Sequence, residues 1–203
     1  MIVLGLTGSI AMGKSTAANA FRRLGVPVHD ADAAVHRFME KDGAAVAALA
    51  RAFPDALKDD AIDRKVLRRH VLEDPAALKK LEAILHPLVR RSERAFLADA
   101  RRRRMKLVVL DIPLLYETDA ERRCDAVAVV SAPRAVQLGR LRKRPGFSRA
   151  WLERIEARQV PDTEKRRRAD FIIPTGLDFR SSLQAIRRIV TMAEDARIAA
   201  RRR

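Results

Sequence analysis

The sequence has very little of several residue types, and each shortage excludes a class of protein. Cys124 is the one cysteine among 203 residues, which excludes a disulfide framework within the chain and makes a reducing cytoplasm the expected location. One tryptophan and one tyrosine provide few aromatic platforms on which nucleic-acid bases could stack. Because no apolar run reaches the roughly 18 residues of a transmembrane helix, we expect a globular protein that does not span a membrane.

The positive charge is the strongest bias that the composition does contain. A formal net charge of +16 attracts acidic partners such as nucleotides, nucleic acid or anionic lipid. The alternative is a general preference for arginine that has no bearing on function. Zinc-finger spacing and RNA-recognition signatures are absent from the sequence. We therefore expect no specific nucleic-acid partner, and the sequence leaves the oligomeric state open.

Short apolar runs alternate with helical patterns through most of the chain. This alternation predicts an α/β fold in which a parallel five-stranded sheet is covered by helices on both faces, as a three-layer core. Pro133 is expected to open a helix, while Ser148 and Asp178 have the positions of helix N-caps. The five predicted strands are residues 2–6, 26–29, 107–112, 126–130 and 171–173.

One long segment has no strand pattern. Residues 33–104 are predicted to be entirely helical, with Asp74 and Pro75 starting one helix and Pro87 starting the next. The predicted organisation is therefore a core formed by residues 1–32 and 105–203 and a helical insertion formed by residues 33–104. We expect the insertion to bind substrate; the alternative is a plain helical packing layer. The last residues, 201–203, are expected to form a disordered tail.

A phosphate-binding motif follows the first predicted strand directly. Residues 8–15 read Gly-Ser-Ile-Ala-Met-Gly-Lys-Ser, which matches the pattern G-x-x-x-x-G-K-[ST]. The glycines let successive N–H groups point at phosphate oxygens, and the following helix presents its positive N-terminus to the same anion. Lys14 is expected to bind the β- and γ-phosphates and Ser15 to ligate Mg²⁺. The predicted ATP-binding residues are Gly8, Ala11, Met12, Gly13, Lys14, Ser15 and Thr16.

Three further residues are candidates for the chemistry of phosphoryl transfer. Asp111 ends an apolar strand, where it either lies near Mg²⁺ or serves as a turn or helix-cap residue. Asp32 follows the second strand and could accept the proton of an attacking hydroxyl, unless it or Asp30 caps the next helix. Arg140 lies before a break at residues 145–146 and could move onto the transferring phosphate as part of a lid at about residues 140–150; the alternative is a solvated helix face.

Several segments beyond the phosphate loop form a specific combination. They are Asp30-Ala31-Asp32, His86-Pro87 with Arg90, Asp111-Ile112-Pro113-Leu114-Leu115-Tyr116-Glu117, Arg140 with Arg144, Gln159, and Ala169-Asp170. The phosphate loop by itself indicates only a superfamily, but together with these segments the sequence resembles the dephospho-CoA kinase family over nearly the whole chain. One departure concerns the loop, which has fewer glycines than is usual in the family. Another is Pro174-Thr175-Gly176, where the family usually has an asparagine followed by a small residue.

The resemblance implies an activity as well as a fold. It implies transfer of the ATP γ-phosphoryl group to the 3′-hydroxyl of dephospho-CoA, the last step of coenzyme A biosynthesis, with Mg²⁺ accompanying ATP. It places Asp32, Lys14 and Arg140 in catalytic positions and Ser15 and Asp111 near the metal. For His86, a packed or capping histidine is the alternative. The residues implied to bind dephospho-CoA are Asp32, His86, Arg90, Leu114 and Glu117.

Two other functions are compatible with parts of the sequence. A nucleoside monophosphate kinase could share the phosphate loop and the lid, although the Asp-Ala-Asp and Pro-Leu-Leu segments argue against it. A nucleotide-dependent switch or nucleic-acid-binding ATPase would account for the charge of +16. The first would accept nucleoside monophosphates, and the second would show ATPase activity stimulated by RNA or DNA.

Overall fold

The computed structural model describes residues 1–176 and 178–195, so the predicted tail at residues 201–203 lies outside the described part. Two units make up the chain. Residues 1–29 and those from 100 onward form the first, called the sheet unit, and residues 30–99 form the second, called the helical unit. Within residues 1–176 and 178–195, no helix is long and apolar enough to cross a membrane.

Strands and helices alternate as expected for an α/β protein. The strands are β1 (Ile2–Thr7), β2 (Val28–Asp30), β3 (Leu57–Lys58), β4 (Ala61–Ile62), β5 (Leu107–Asp111), β6 (Ala126–Ser131) and β7 (Phe171–Pro174). The helices are α1 (Lys14–Arg23), α2 (Ala31–Met39), α3 (Val46–Ala52), α4 (Arg64–Glu73), α5 (Pro75–Arg102), α6 (Arg134–Arg142), α7 (Arg149–Glu156), α8 (Asp162–Arg168) and α9 (Phe179–Glu194). Short 3₁₀ turns occupy Pro54–Ala56 and Ala120–Arg123.

Five strands form one sheet in the order β2-β5-β1-β6-β7. β1 lies at the centre and pairs in parallel with β5 on one side and β6 on the other, and β6 pairs in parallel with β7. The predicted α/β fold with a parallel five-stranded sheet is confirmed. The chain passes from β5 on one side of β1 to β6 on the other. The carboxyl end of β1 is therefore a topological switch point, where ligands bind in such folds.

The central strands are buried on both faces, which explains why they read as continuous apolar runs rather than alternating ones. On one face, Phe21 of α1 and Ile186 of α9 pack with Leu4 and Leu6 in a single apolar core. Under the other face, a Cβ atom on Gly5 would lie 2.6 Å from a methyl carbon of Leu115. Burial of large apolar side chains at about 25 cal/mol per Å² is the main stabilising contribution in such a core.

The helical unit differs from the sequence prediction in two respects. Residues 33–104 are not entirely helical, because β3 and β4 form an antiparallel hairpin in which Leu57 pairs with Ile62. Asp59 and Asp60 both have positive φ angles, 50° and 61°, as a two-residue hairpin turn requires. Pro87 does not start a helix, since it lies inside α5. A proline there removes one backbone hydrogen bond, but the flanking residues continue the helix.

Several predicted helix ends are confirmed by their hydrogen bonds. The Ser148 hydroxyl accepts from the Trp151 N–H over 3.1 Å at the start of α7. Asp178 accepts from the Ser181 N–H over 2.6 Å at the start of α9. This bond, together with hydrogen bonds from the Ser181 side chain and the Arg180 backbone, holds the pKa of Asp178 below its usual value. Each cap satisfies an N–H group that has no partner within its own helix.

Candidate active site

The phosphate loop connects β1 to α1 at the centre of the sheet. Gly8 must be glycine here because an added Cβ atom would lie 2.7 Å from the Val130 carbonyl oxygen of β6. Gly13 forms the N-cap of α1 with φ +93°, a left-handed conformation that glycine adopts without strain. Ala11 is also left-handed, with φ +59°, although it carries a side chain. The loop therefore leads directly into the N-terminus of α1, which favours anions.

Lys14 and Asp111 form an ion pair between the phosphate loop and the end of β5. The two residues are brought together because β5 is paired with β1, with Asp111 opposite Leu6. The Asp111 side chain is only 3% exposed, whereas that of Lys14 is 17% exposed. The structure thus places the predicted phosphate-binding cation and the predicted metal-site carboxylate in direct contact.

The first turn of α1 provides two exposed hydroxyl groups. Ser15 and Thr16 follow Lys14 and are exposed to solvent. Hydroxyl and carboxylate oxygens are the donors that Mg²⁺ prefers, so Ser15 and Asp111 fit a divalent cation held mainly by nucleotide phosphates. Across the described residues there is no cluster of three or more His, Cys, Asp or Glu side chains that could hold a metal ion without a nucleotide.

Arg140 lies on α6, and its side chain contacts the phosphate loop. Its guanidinium donates to the Ala11 carbonyl over 3.2 Å, to the Thr175 hydroxyl over 3.3 Å and to the Thr175 carbonyl. A Cβ atom on Gly13 would lie 3.4 Å from Arg140 Nη1. Arg140 belongs to the last turn of α6. The predicted break at residues 145–146 lies between α6 and α7.

Glu117 is engaged inside the sheet unit. Its carboxylate accepts from the Val160 N–H over 2.9 Å and lies 2.8 Å from Lys165 Nζ. Lys165 is fully buried and Glu117 is 12% exposed, and the second oxygen of Glu117 has no hydrogen-bond partner within the described part of the chain. These contacts give Glu117 a structural role that was not predicted, and its predicted contact with substrate stays a prediction. The nearby Leu114 is 41% exposed.

The remaining candidates belong to the helical unit. Asp30 is the N-cap of α2 and accepts from the Ala33 N–H over 2.9 Å, so it is the member of the Asp30-Asp32 pair that caps the helix. Asp32 lies in the first turn of α2 and is exposed. His86 and Arg90 are exposed residues of α5, and their spacing of four places them on the same face.

Three residues that contact the phosphate loop or Glu117 were not identified as site residues from the sequence. Gln137 is buried on α6 and donates to the Ile10 carbonyl over 2.9 Å. Thr175 follows β7 and contacts the Met12 carbonyl, and Lys165 is the buried partner of Glu117. The one signal in the sequence was the segment Pro174-Thr175-Gly176, which departs from the asparagine and small residue that are usual in the family after the fifth strand.

Comparison with known proteins identifies the family. The family model described as dephospho-CoA kinase matches residues 2–177. A dephospho-CoA kinase of Paramagnetospirillum magneticum is 58% identical over 200 residues, which cover 98% of this chain and 94% of that protein. One from Rhodospirillum rubrum is 54% identical over 193 residues, 95% of this chain and 92% of that protein.

The chain belongs to the dephospho-CoA kinase family. Solved structures agree with this assignment. A protein of Thermus thermophilus is similar with a TM-score of 0.80 and 37% identity, covering 94% of this chain and 96% of that one. A dephospho-CoA kinase from Campylobacter jejuni has a TM-score of 0.73 and 26% identity, covering 96% and 98%.

Membership in the dephospho-CoA kinase family confirms the predicted class of enzyme. The chain is an ATP-dependent kinase whose substrates are ATP and dephospho-CoA, and it acts in coenzyme A biosynthesis. A kinase that uses ATP requires a divalent metal in general.

Proposed function

We propose that the family's reaction, transfer of the ATP γ-phosphoryl group to the 3′-hydroxyl of dephospho-CoA, is carried out at the phosphate loop and the carboxyl end of β1. The observation that carries this proposal is the contact between Lys14 and Asp111. It joins a cation that can bind phosphate to a carboxylate that can face a metal, at the switch point of the sheet.

In this proposal, backbone and side-chain donors bind the ATP phosphates. The loop residues Gly8, Ala11, Met12 and Gly13 surround the phosphates with backbone groups, and α1 adds its positive N-terminus. Lys14 binds the β- and γ-phosphates, while the Thr16 hydroxyl adds a further hydrogen-bond donor. Because phosphoryl transfer needs little covalent work from the protein, positioning and neutralisation of charge supply most of the rate enhancement.

The proposed metal is Mg²⁺, which accompanies ATP. The Ser15 hydroxyl and the Asp111 carboxylate would hold it together with phosphate oxygens, and it would neutralise charge that develops on the phosphates. Arg140 would contribute a further positive charge beside the loop, and a lid at about residues 140–150 would exclude water.

The acceptor side of the reaction is proposed to involve the helical insertion, residues 33–104. The exposed carboxylate of Asp32 takes the proton of the 3′-hydroxyl as that oxygen bonds to the γ-phosphorus. The bond from the γ-phosphorus to the bridging oxygen breaks, and ADP leaves with the bonding electrons. His86 and Arg90 share one face of α5, where a proton donor and a cation suit the anionic groups of dephospho-CoA, and Leu114 and Glu117 complete the proposed substrate contacts.

The first experiment is a coupled assay of ADP release with Mg-ATP, with and without dephospho-CoA, in which the product is identified by mass. The expected result is ADP release that depends on dephospho-CoA and a product heavier by one phosphate. A Lys14→Ala variant serves as the matched loop control and should lose most of this activity. Equal ADP release without acceptor, or an unaffected Lys14→Ala variant, would contradict the proposed site. A cytoplasmic location stays a prediction.

A further inference from the structure

Three consecutive carbonyl groups of the phosphate loop accept hydrogen bonds from side chains that lie outside the loop. Each bond is to a different peptide unit, and the donors come from α6 and from the segment after β7. Together they fix the direction in which the loop carbonyls point. The pairs are Gln137 Nε2 with the Ile10 carbonyl at 2.9 Å, Arg140 Nη1 with the Ala11 carbonyl at 3.2 Å, and the Thr175 hydroxyl with the Met12 carbonyl.

The direction of a carbonyl determines the direction of the next N–H group. In a planar trans peptide, the C=O of one residue and the N–H of the following residue point to opposite sides. A bond from Gln137 to the Ile10 carbonyl therefore turns the Ala11 N–H away from α6. A bond from Thr175 to the Met12 carbonyl likewise turns the Gly13 N–H away. The Met12 N–H differs, since it is used within the loop and donates to the Ser9 carbonyl over 3.2 Å.

We expect the loop to depend on these side-chain hydrogen bonds because the backbone at Ala11 has an unfavourable conformation. Ala11 has φ +59°, and a residue with a side chain is disfavoured by about 1–2 kcal/mol in the left-handed region. Without external bonds, the peptide units on either side of Ala11 could rotate to relieve this strain. Gln137 is buried, and its own carbonyl oxygen accepts from Arg134 over 2.7 Å, so its amide orientation is fixed.

We propose that Gln137 and Thr175 are positioning residues that aim the N–H groups of Ala11 and Gly13 at the phosphates of ATP. Neither residue needs to touch the nucleotide, since each acts through a loop carbonyl. The inference rests on the proposed function, because it takes the loop to be the phosphate site. It predicts that loss of either hydrogen bond weakens binding of nucleotide phosphates specifically.

The test compares Thr175→Val with Thr175→Ser. Valine keeps the shape of threonine but has no hydroxyl, whereas serine keeps the hydroxyl. In the valine variant, Arg140 still has the Ala11 carbonyl and the Thr175 carbonyl as acceptors. The variant loses the bond from the Thr175 hydroxyl to the Met12 carbonyl and the 3.3 Å bond that this hydroxyl accepts from Arg140. The Mg-ADP dissociation constant measured by calorimetry and the KM for ATP should therefore each rise about 3- to 10-fold. The KM for dephospho-CoA and the Tm should stay near the parent values, and Thr175→Ser should bind Mg-ADP like the parent.

A second variant tests the other peptide unit. Gln137→Glu keeps the length of the side chain and an acceptor for Arg134, but an ionised carboxylate cannot donate to the Ile10 carbonyl. Its Mg-ADP affinity should fall at least as far as that of Thr175→Val. Because the two residues hold different peptide units, the losses should multiply in the double variant.

The outcomes separate the inference from the proposed function. Parent-like Mg-ADP binding by Thr175→Val would overturn the positioning role. Equal losses in Thr175→Val and Thr175→Ser would do the same, as would a parallel rise of both KM values with a lowered Tm, which indicates a general loss of structure. If the parent protein itself does not bind Mg-ADP, the proposed phosphate site fails and the inference fails with it.

Discussion

The two carboxylates that we propose for the reaction, Asp111 in the sheet unit and Asp32 in the helical unit, have contrasting environments. In the sheet unit, Asp111 is nearly buried and paired with Lys14. In the helical unit, Asp32 is exposed and lies in the first turn of α2, while Asp30 is the helix cap. A general base must be accessible to its substrate, and Asp32, unlike Asp30, has a side chain that is not needed for the helix start.

Replacing Asp32 by asparagine is expected to remove the base and to leave the fold intact. Turnover should fall by about 10²- to 10⁴-fold, the usual contribution of a general base, while Mg-ADP binding is largely kept. Steady-state kinetics and calorimetry on the same preparation would show both. Asp30→Asn is the matched control, because asparagine caps helices as well as aspartate does, and it should retain most of the activity. A turnover above half the parent rate for Asp32→Asn would mean that the assigned role is wrong.

Asp111 is expected to affect the metal requirement. Asp111→Asn keeps a polar side chain of the same size but loses the charge that would attract Mg²⁺. The Mg²⁺ concentration that gives half the maximal rate should rise about 10-fold or more, in line with losses of metal-supporting carboxylates. A titration of Mg²⁺ into EDTA-treated protein at fixed ATP measures this shift. Identical Mg²⁺ curves for variant and parent would place Asp111 outside the metal site.

At the scale of helices and strands, the sequence predicted what depends on local pattern. The five core strands were found because runs such as residues 126–130 are apolar at every position, and caps such as Ser148 and Asp178 act on residues three positions away. The hairpin of β3 and β4 was missed because its strands are two residues long and fall below any periodic signal.

Contacts between distant residues could not be predicted in the same way. Gln137 and Ile10 are separated by 127 positions, and Thr175 and Met12 by 163. These contacts depend on the order of strands in the sheet, which places the segment after β7 and the first turn of α6 next to the loop. Lys14 and Asp111 are separated by 97 positions, yet both were identified, because Lys14 belongs to the phosphate-loop motif and Asp111 ends an apolar strand. Recognition of a motif thus finds residues that touch ligands more readily than residues that support them.

The pair of Glu117 and Lys165 connects two elements in the interior of the sheet unit. Glu117→Gln would leave the fully buried Lys165 ammonium without a carboxylate, and breaking a buried ion pair in this way typically destabilises a protein by about 3–5 kcal/mol. The free energy of unfolding from urea titration should fall by an amount in that range. The double variant Glu117→Gln with Lys165→Met removes both charges and should recover at least half of the loss.

The same variants distinguish the two roles of Glu117. If Glu117 only supports the fold, the double variant should have a KM for dephospho-CoA close to the parent value. A KM for dephospho-CoA that stays raised after stability has recovered would support direct contact with the substrate. A single variant as stable as the parent would contradict the importance of the ion pair.

At the scale of the whole molecule, the net charge of +16 is compatible with the kinase reaction. ATP and dephospho-CoA both carry phosphate charges, so a positive protein raises their local concentration. The same charge would attract RNA or DNA without specificity, and salt-sensitive binding of nucleic acid alone would therefore not indicate a nucleic-acid-dependent enzyme. The effect of nucleic acid on turnover distinguishes a kinase that binds it without specificity from a nucleic-acid-dependent enzyme.

Raising the salt concentration from about 50 mM to about 200 mM is expected to raise the KM for both substrates, since screening shortens the range of the protein's field to about 8 Å or less. The kcat should change little, because the bound phosphates are held by contacts over much shorter distances. Steady-state kinetics at several KCl concentrations, with sucrose as an uncharged control, would show the difference. ADP release should remain dependent on dephospho-CoA throughout and should not increase with added RNA or DNA. ATPase activity stimulated by nucleic acid in the absence of dephospho-CoA would instead assign the positive charge to a second, nucleic-acid-dependent activity.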